Sequence, residues 1–252
     1  MTDPIASLRS SHERLRSVVE PLTPEQVRQG AYPSEWSIAQ VLSHLGSGAE
    51  IGAMIVQAGK SGAEPPSRDS YPAIWDRWNS KDPDAMVEDG LAADAHLVDL
   101  VESLRDPRFA DTVFMTFLGP RDRTGYATLR LGEHAVHTWD VVVAVQPGAT
   151  VSPDAVEIIL PGVARLAGFV AKPKGRTGRI RITTEDREYA LTLGEQSTMV
   201  PWEGGESTAS LRIPTEAMVR LIYGRLDAAN TPAGIEVDGI TLDDLRAVFP
   251  GF

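Results

Sequence analysis

Apolar residues recur at helical spacing through the first 150 residues, and then that rhythm breaks. A chain patterned this way must first bury long helices against one another. Residues 3–20 open on Asp3 and Pro4, a capping residue followed by a proline at the first helical position. Ile5, Leu8, Leu15, Val18 and Val19 supply the apolar stripe of this first helix. A second helix is predicted after Trp36. Ser37 and Gln40 have the spacing of a capping box, and Ile38, Val41, Leu42, Leu45 and Ile51 follow at helical intervals. It should end near Gly59, because the composition of 59–72 is that of a loop. A third helix is predicted over 83–104 and a fourth over 125–145, stopped by Pro147 and Gly148. Four such helices predict a bundle whose site lies between facing helices.

Beyond residue 150 the pattern is mixed. Residues 153–169 read as a bridging helix. Arg179 to Thr184 and Glu188 to Leu193 alternate like strands around a Thr-Glu-Asp-Arg turn, and Ser207 to Ile213 is a third strand candidate. Pro214 opens a helix through Leu221, and Leu242 to Val248 forms a short last one. The predicted class is therefore α+β, with a four-helix bundle over 1–150 and a smaller α+β domain over 151–252. The joint is expected at Pro147-Gly148 and the Pro153 region, with a cleft between the domains.

Charge and composition exclude several functions. With 24 basic and 35 acidic residues the net charge is −11. Such a surface repels phosphate backbones and anionic headgroups, so neither nucleic acid nor membrane is expected as a partner. No run of ~18 apolar residues predicts a transmembrane helix. The N-terminus lacks a basic segment followed by an apolar one, so a cytoplasmic location is expected. The chain has no cysteine, which removes disulfides and catalytic thiols alike. Any thiol chemistry has to come from a bound thiol. Lys60, Lys81, Lys172 and Lys174 are the only lysines, and arginine supplies the other basic residues, a bias that fits a high-GC source.

The residues that carry chemistry are His44, Glu133 and His137. Glu133 and His137 stand four apart in the predicted fourth helix, which puts both on one face, one turn apart. His44 lies in the predicted second helix. If the two helices pack side by side, two imidazoles and a carboxylate meet, a three-protein-ligand metal site with one position left open. Spacing alone also fits an ordinary surface pair and a hydrogen-bonded structural histidine. His134 competes poorly with His137, because it lies roughly 100° around the helix from Glu133. His12 and His96 sit among charged residues and are expected to be solvated. Trp36 reads as a core residue closing the start of the second helix. Asp140, one turn past His137, either orients a ligand imidazole or is a helix-terminal charge. Arg130, one turn before Glu133, either holds a carboxylate or lies on the surface. Arg225 follows a glycine at a helix end, and it either reaches into the cleft or caps the last carbonyls.

The segment from Trp36 to Leu45 resembles the second-helix motif of the DinB-like helical bundle superfamily. The segment Arg130-Leu-Gly-Glu133-His-Ala-Val-His137-Thr-Trp-Asp140 is similar to the fourth-helix motif of one branch, the mycothiol-dependent maleylpyruvate isomerase family. The resemblance implies that His44, Glu133 and His137 bind a divalent metal, usually zinc. Residues 180–250 resemble that family's sterol-carrier-like C-terminal domain, most clearly from Ala209 to Arg225. The resemblance also implies mycothiol as the low-molecular-weight thiol and a small electrophile as the other substrate. Attack of a metal-stabilised thiolate on an electrophilic carbon serves both a cis–trans isomerase of the maleylpyruvate type and a thiol S-transferase. Arg130 and Arg225 are then candidate partners for the thiol's polar parts. A metal-dependent hydrolase and a non-enzymatic metal- or ligand-binding module are the alternatives. The sequence leaves the oligomeric state open.

Overall fold

Asp3 accepts a hydrogen bond from the Ile5 amide at 3.0 Å and starts the first helix, with Pro4 at its first position as predicted. The computed structural model describes residues 3–32 and 35–251. The chain divides into two units, Met1–Ile158 and Ile159–Phe252. The first contains α1 (Pro4–Val19), α2 (Pro24–Val27), α3 (Ile38–Ser61), α4 (Tyr71–Asn79), α5 (Pro83–Ser103), the strands β1 (Phe114–Thr116) and β2 (Gly119–Arg121), and α6 (Arg123–Val145). The division falls inside α7 (Pro153–Val170).

The four long helices α1, α3, α5 and α6 form the bundle. α3 packs along α5 and α1 along α6, while α1 also meets α5 and α3 also meets α6. Leu8, Leu42, Leu45, Leu97, Val101 and Ala127 are fully buried between them. One close approach sets the spacing of α3 and α5: a Cβ at Gly90 would lie 2.7 Å from the Leu42 carbonyl oxygen, so only glycine fits there. The capping box read from Ser37 and Gln40 is present. The Gln40 amide donates to Ser37 Oγ at 3.2 Å, and the Ser37 amide donates to Gln40 Oε1 at 2.8 Å. It fixes where α3 begins, and so which residues α3 turns toward α6.

The structure adds to the predicted elements. α3 runs to Ser61 and ends on Gly62 in the left-handed conformation at φ 71°. The expected loop over 59–72 therefore starts later, holds a 3-10 turn at Arg68–Ser70, and gives way to α4 at Tyr71. α4 buries only Ile74 and Trp78, too few positions to show a period in the sequence. The β1–β2 hairpin between α5 and α6 was also not predicted. Its strands are three residues long, one contains Pro120, and they pair antiparallel from Phe114↔Arg121 to Thr116↔Gly119. Phe114 is fully buried, with its ring 5.5 Å from that of Tyr126.

The second unit carries β3 (Gly178–Thr183), β4 (Glu188–Leu193), β5 (Thr198–Pro201), β6 (Ala209–Arg212), α8 (Thr215–Ile222), β7 (Glu236–Asp238) and α9 (Leu242–Val248). The sheet order is β5-β4-β3-β6-β7, with β3 and β6 parallel and the other neighbours antiparallel. Ile180, Ile182, Leu191, Leu193 and Leu211 are buried. The predicted strands and helices of this half are present. The two outer strands, β5 and β7, are additions. β5 buries only Met199 and β7 is exposed throughout, so neither shows the alternation that marks a half-buried strand. The chain is α+β, a helical first unit followed by a smaller mixed one.

Candidate metal centre

α3 and α6 bring His44, Glu133 and His137 together. His44 Nε2 lies 2.7 Å from Glu133 Oε1, and His137 Nε2 lies 3.5 Å from the same oxygen. The imidazole rings are 4.6 Å apart between centroids, at 60° to each other. Asp140 is fully buried, and its Oδ2 accepts from His137 Nδ1 at 2.9 Å. That bond holds the ring so that Nε2 faces Glu133. Trp36 is half-buried and packs against the core cluster around Ile38, Val41 and Leu42, and its ring also lies 5.3 Å from His44 and 6.3 Å from His137, nearly parallel to the latter at 15°. It walls one side of the histidine pair.

The electrostatics follow from this crowding. Burial opposes charge on His137, but the carboxylates of Asp140 and Glu133 outweigh it and push the imidazole up to about 9. Glu133 is partly desolvated by its neighbours although 46% of its side chain is exposed, which opposes its charge, yet His137 and His44 hold its carboxyl well below the usual carboxylate range. Three donor atoms thus share protons at one point. A divalent cation that replaces those protons would satisfy the same atoms. A tetrahedral zinc with ligand bonds of ~2.0–2.1 Å spaces its ligand atoms ~3.3 Å apart, between the 2.7 and 3.5 Å separations of Glu133 Oε1 from the two imidazole nitrogens. His44 and Glu133 also line a cavity of about 530 Å³, so the fourth direction is open. Two imidazoles and a carboxylate with an open side match the donor set of catalytic rather than structural zinc sites.

A second set of the same residue types lies behind the first. Asp94 on α5 is fully buried, and its Oδ2 accepts from His12 Nδ1 at 2.8 Å and His134 Nε2 at 2.7 Å. Its Oδ1 accepts from Arg130 Nη2 at 2.8 Å. His134 Nδ1 lies within 2.8 Å of Ser11 Oγ and 3.1 Å of Thr138 Oγ1. Burial opposes charge on Asp94, but His134, His12 and Arg130 together hold it well below the usual carboxylate range. These donor atoms also lie close enough to hold a metal. They are enclosed, however, and the carboxylate is already filled by three donors, one of them a guanidinium. The set has the make-up of a polar network joining α1, α5 and α6.

His12 corrects the reading of a solvated residue, since only 2% of it is exposed. The signal was available: His12 falls four residues after Leu8 and three before Leu15, on the buried stripe of α1. Arg130 is buried rather than a surface residue, lines the cavity, and also donates to the Leu45 carbonyl at 3.1 Å. Arg225 belongs to the second unit. It is buried and donates from Nη1 to the Tyr223 carbonyl at 2.8 Å, at the C-terminal end of α8.

A helical bundle with an open His-Glu-His set between two facing helices is the class that fold and site define. The family model of the mycothiol maleylpyruvate isomerase N-terminal domain matches residues 8–142, and the chain belongs to that family. The matched span holds all three residues of the open set. The crystal structure of the mycothiol-dependent maleylpyruvate isomerase is similar at a TM-score of 0.67 and 14% identity, over 93% of this chain and 91% of that chain. A histidine-to-alanine variant of that enzyme is similar at 0.67 and 13%, over the same shares. At these identities the likeness is one of fold. No curated protein sequence matches the chain. The family and both solved neighbours are named for an enzyme. Among the described residues no helix is long and apolar enough to cross a membrane.

Proposed function

We propose that the chain is a metal- and mycothiol-dependent enzyme acting on a small electrophile, as a cis–trans isomerase or a thiol S-transferase. One observation carries this reading: three donor atoms from two helices converge at the wall of an open cavity, and Asp140 orients one of them from behind. Bound by His44, Glu133 and His137, a divalent cation such as zinc would stabilise a thiolate at its open position, and addition of that sulfur to carbon is common to both reactions. The chain's own residues do the rest. Glu133 neutralises part of the cation's charge. Asp140 holds the proton on His137 Nδ1 and aims Nε2 forward, the atom from which a metal would displace the second proton. Trp36 covers the histidine rings on one side and limits water there. Arg130 contributes a cation to the cavity wall. With no cysteine in the chain, the thiol must be supplied from outside.

The test is thiol dependence. Zinc-loaded protein is assayed against a panel of enones, epoxides and alkyl halides, with and without mycothiol. Turnover is expected only with thiol. A hydrolase would turn over its substrate equally well without it. No turnover with any electrophile, together with no thiol binding by calorimetry, would leave a binding module.

A further inference from the structure

The cavity that opens on His44 and Glu133 has walls unlike those of an anion site. Ile51, Ile55, Trp75, Phe117, Tyr126 and Leu129 give it large apolar walls. Trp75 and Phe117 are 45% and 64% exposed, unusual for residues of their size, and both belong to that lining. Phe117 sits at the tip of the β1–β2 hairpin, and α4 presents Trp75. Arg68 donates to the Phe117 carbonyl at 2.7 Å, which ties the hairpin tip to the 3-10 turn before α4.

The charges in the wall are mostly engaged. Arg68 is exposed to solvent. Arg130 is paired with Asp94, so its charge is already matched. Glu133 adds a negative charge, and Glu133 with a bound thiolate would together match a divalent cation. A small dicarboxylate entering here would meet one exposed guanidinium, Arg68, and one already paired, Arg130, while giving up its hydration along a mainly apolar wall, a costly transfer. An aryl or branched alkyl group would cover the exposed tryptophan and phenylalanine and lose only ordered water.

We infer that the electrophile of this site is a largely apolar, aryl-bearing molecule rather than a small dicarboxylate. This rests on the thiol-dependent reading for its chemistry, but its binding can be tested alone. Calorimetry of the zinc-loaded protein would compare an unreactive neutral aryl alcohol, such as 2-naphthalenemethanol, with maleate. The aryl ligand is expected to bind at least about 10-fold more tightly, and Phe117→Ser or Trp75→Ala should each weaken it by about 5- to 10-fold. Both side chains are exposed, and circular dichroism checks that the variants keep their helices. In the turnover arm, an aryl enone should exceed maleylpyruvate in kcat/KM with the same thiol. If no electrophile reacts but aryl binding follows this pattern, the ligand class stands and the catalytic reading fails. The inference is overturned if maleate binds more tightly, if neither variant changes aryl binding, or if mycothiol displaces the aryl ligand competitively, because the cavity would then seat the thiol.

Discussion

Two histidine–carboxylate–histidine sets share α6, and they differ in what surrounds them. His134 turns toward α1 and α5, where Asp94 already accepts from His12, His134 and Arg130. His137 turns toward α3, where, among the described residues, Glu133 meets His44 and His137 as its hydrogen-bond and ion-pair partners, beside an open cavity. The first set is closed and supplied with its own counter-charge. The second has its donors gathered and one side left free. Residue types and distances are nearly the same, so what each set does is decided by the groups that are not satisfied from within the protein.

The comparison breaks most visibly at the ligands. His44→Ala or His137→Ala removes one of three donors from the open set, and metal content by elemental analysis should fall to well below one per chain. Circular dichroism should still show a folded bundle. On the closed side, Asp94→Ala leaves a guanidinium and two histidines buried without their acceptor. A loss of about 3–5 kcal/mol is expected in urea unfolding, with metal content unchanged in the protein that remains folded. Equal effects on both properties from both substitutions would erase the distinction. Asp140→Asn removes the charge behind His137 and should weaken metal binding about 10- to 100-fold, read by competition with a chelator.

Acid separates the sets further. Asp94 has a depressed folded pKa, so its contribution to stability is present above the ordinary value of about 3.9 and is lost as pH falls through the folded value. Metal at the open set has to displace the proton that His137 holds up to about 9, so loading should release protons and weaken as pH falls at higher pH than this. Stability and metal affinity should therefore fail at different pH when both are titrated. The smallest effect concerns the frame: Gly90→Ala pushes a Cβ onto the Leu42 carbonyl and should cost about 1–3 kcal/mol by urea unfolding.

The open set was legible because its residues stand at helical intervals. Glu133 and His137 are four apart on one face, and the capping box at Ser37 fixes the phase of α3 that carries His44. The closed set depends on three helices whose packing no local pattern encodes. His12 looked like a solvated charge because its neighbours in sequence are charged, although it lies on the buried stripe of α1, and Asp94 gave no sequence signal of its own. Trp36 packs against the core as read, but bulk and apolarity do not reveal that its ring also lies beside the two imidazoles. The cavity wall was hidden for a similar reason. It is built by α4 and a three-residue hairpin, elements too short to show a period. Elements with a clear rhythm, such as β3, β4 and α9, were predicted to within one residue at each end.

The central claim is that the open set, not the closed one, holds the metal. Anomalous diffraction at the zinc edge from crystals grown with zinc tests it directly. The account predicts one strong peak ~2.0–2.2 Å from His44 Nε2, His137 Nε2 and a Glu133 carboxylate oxygen. A peak among His12, Asp94 and His134, or no ordered peak at either set, would contradict it.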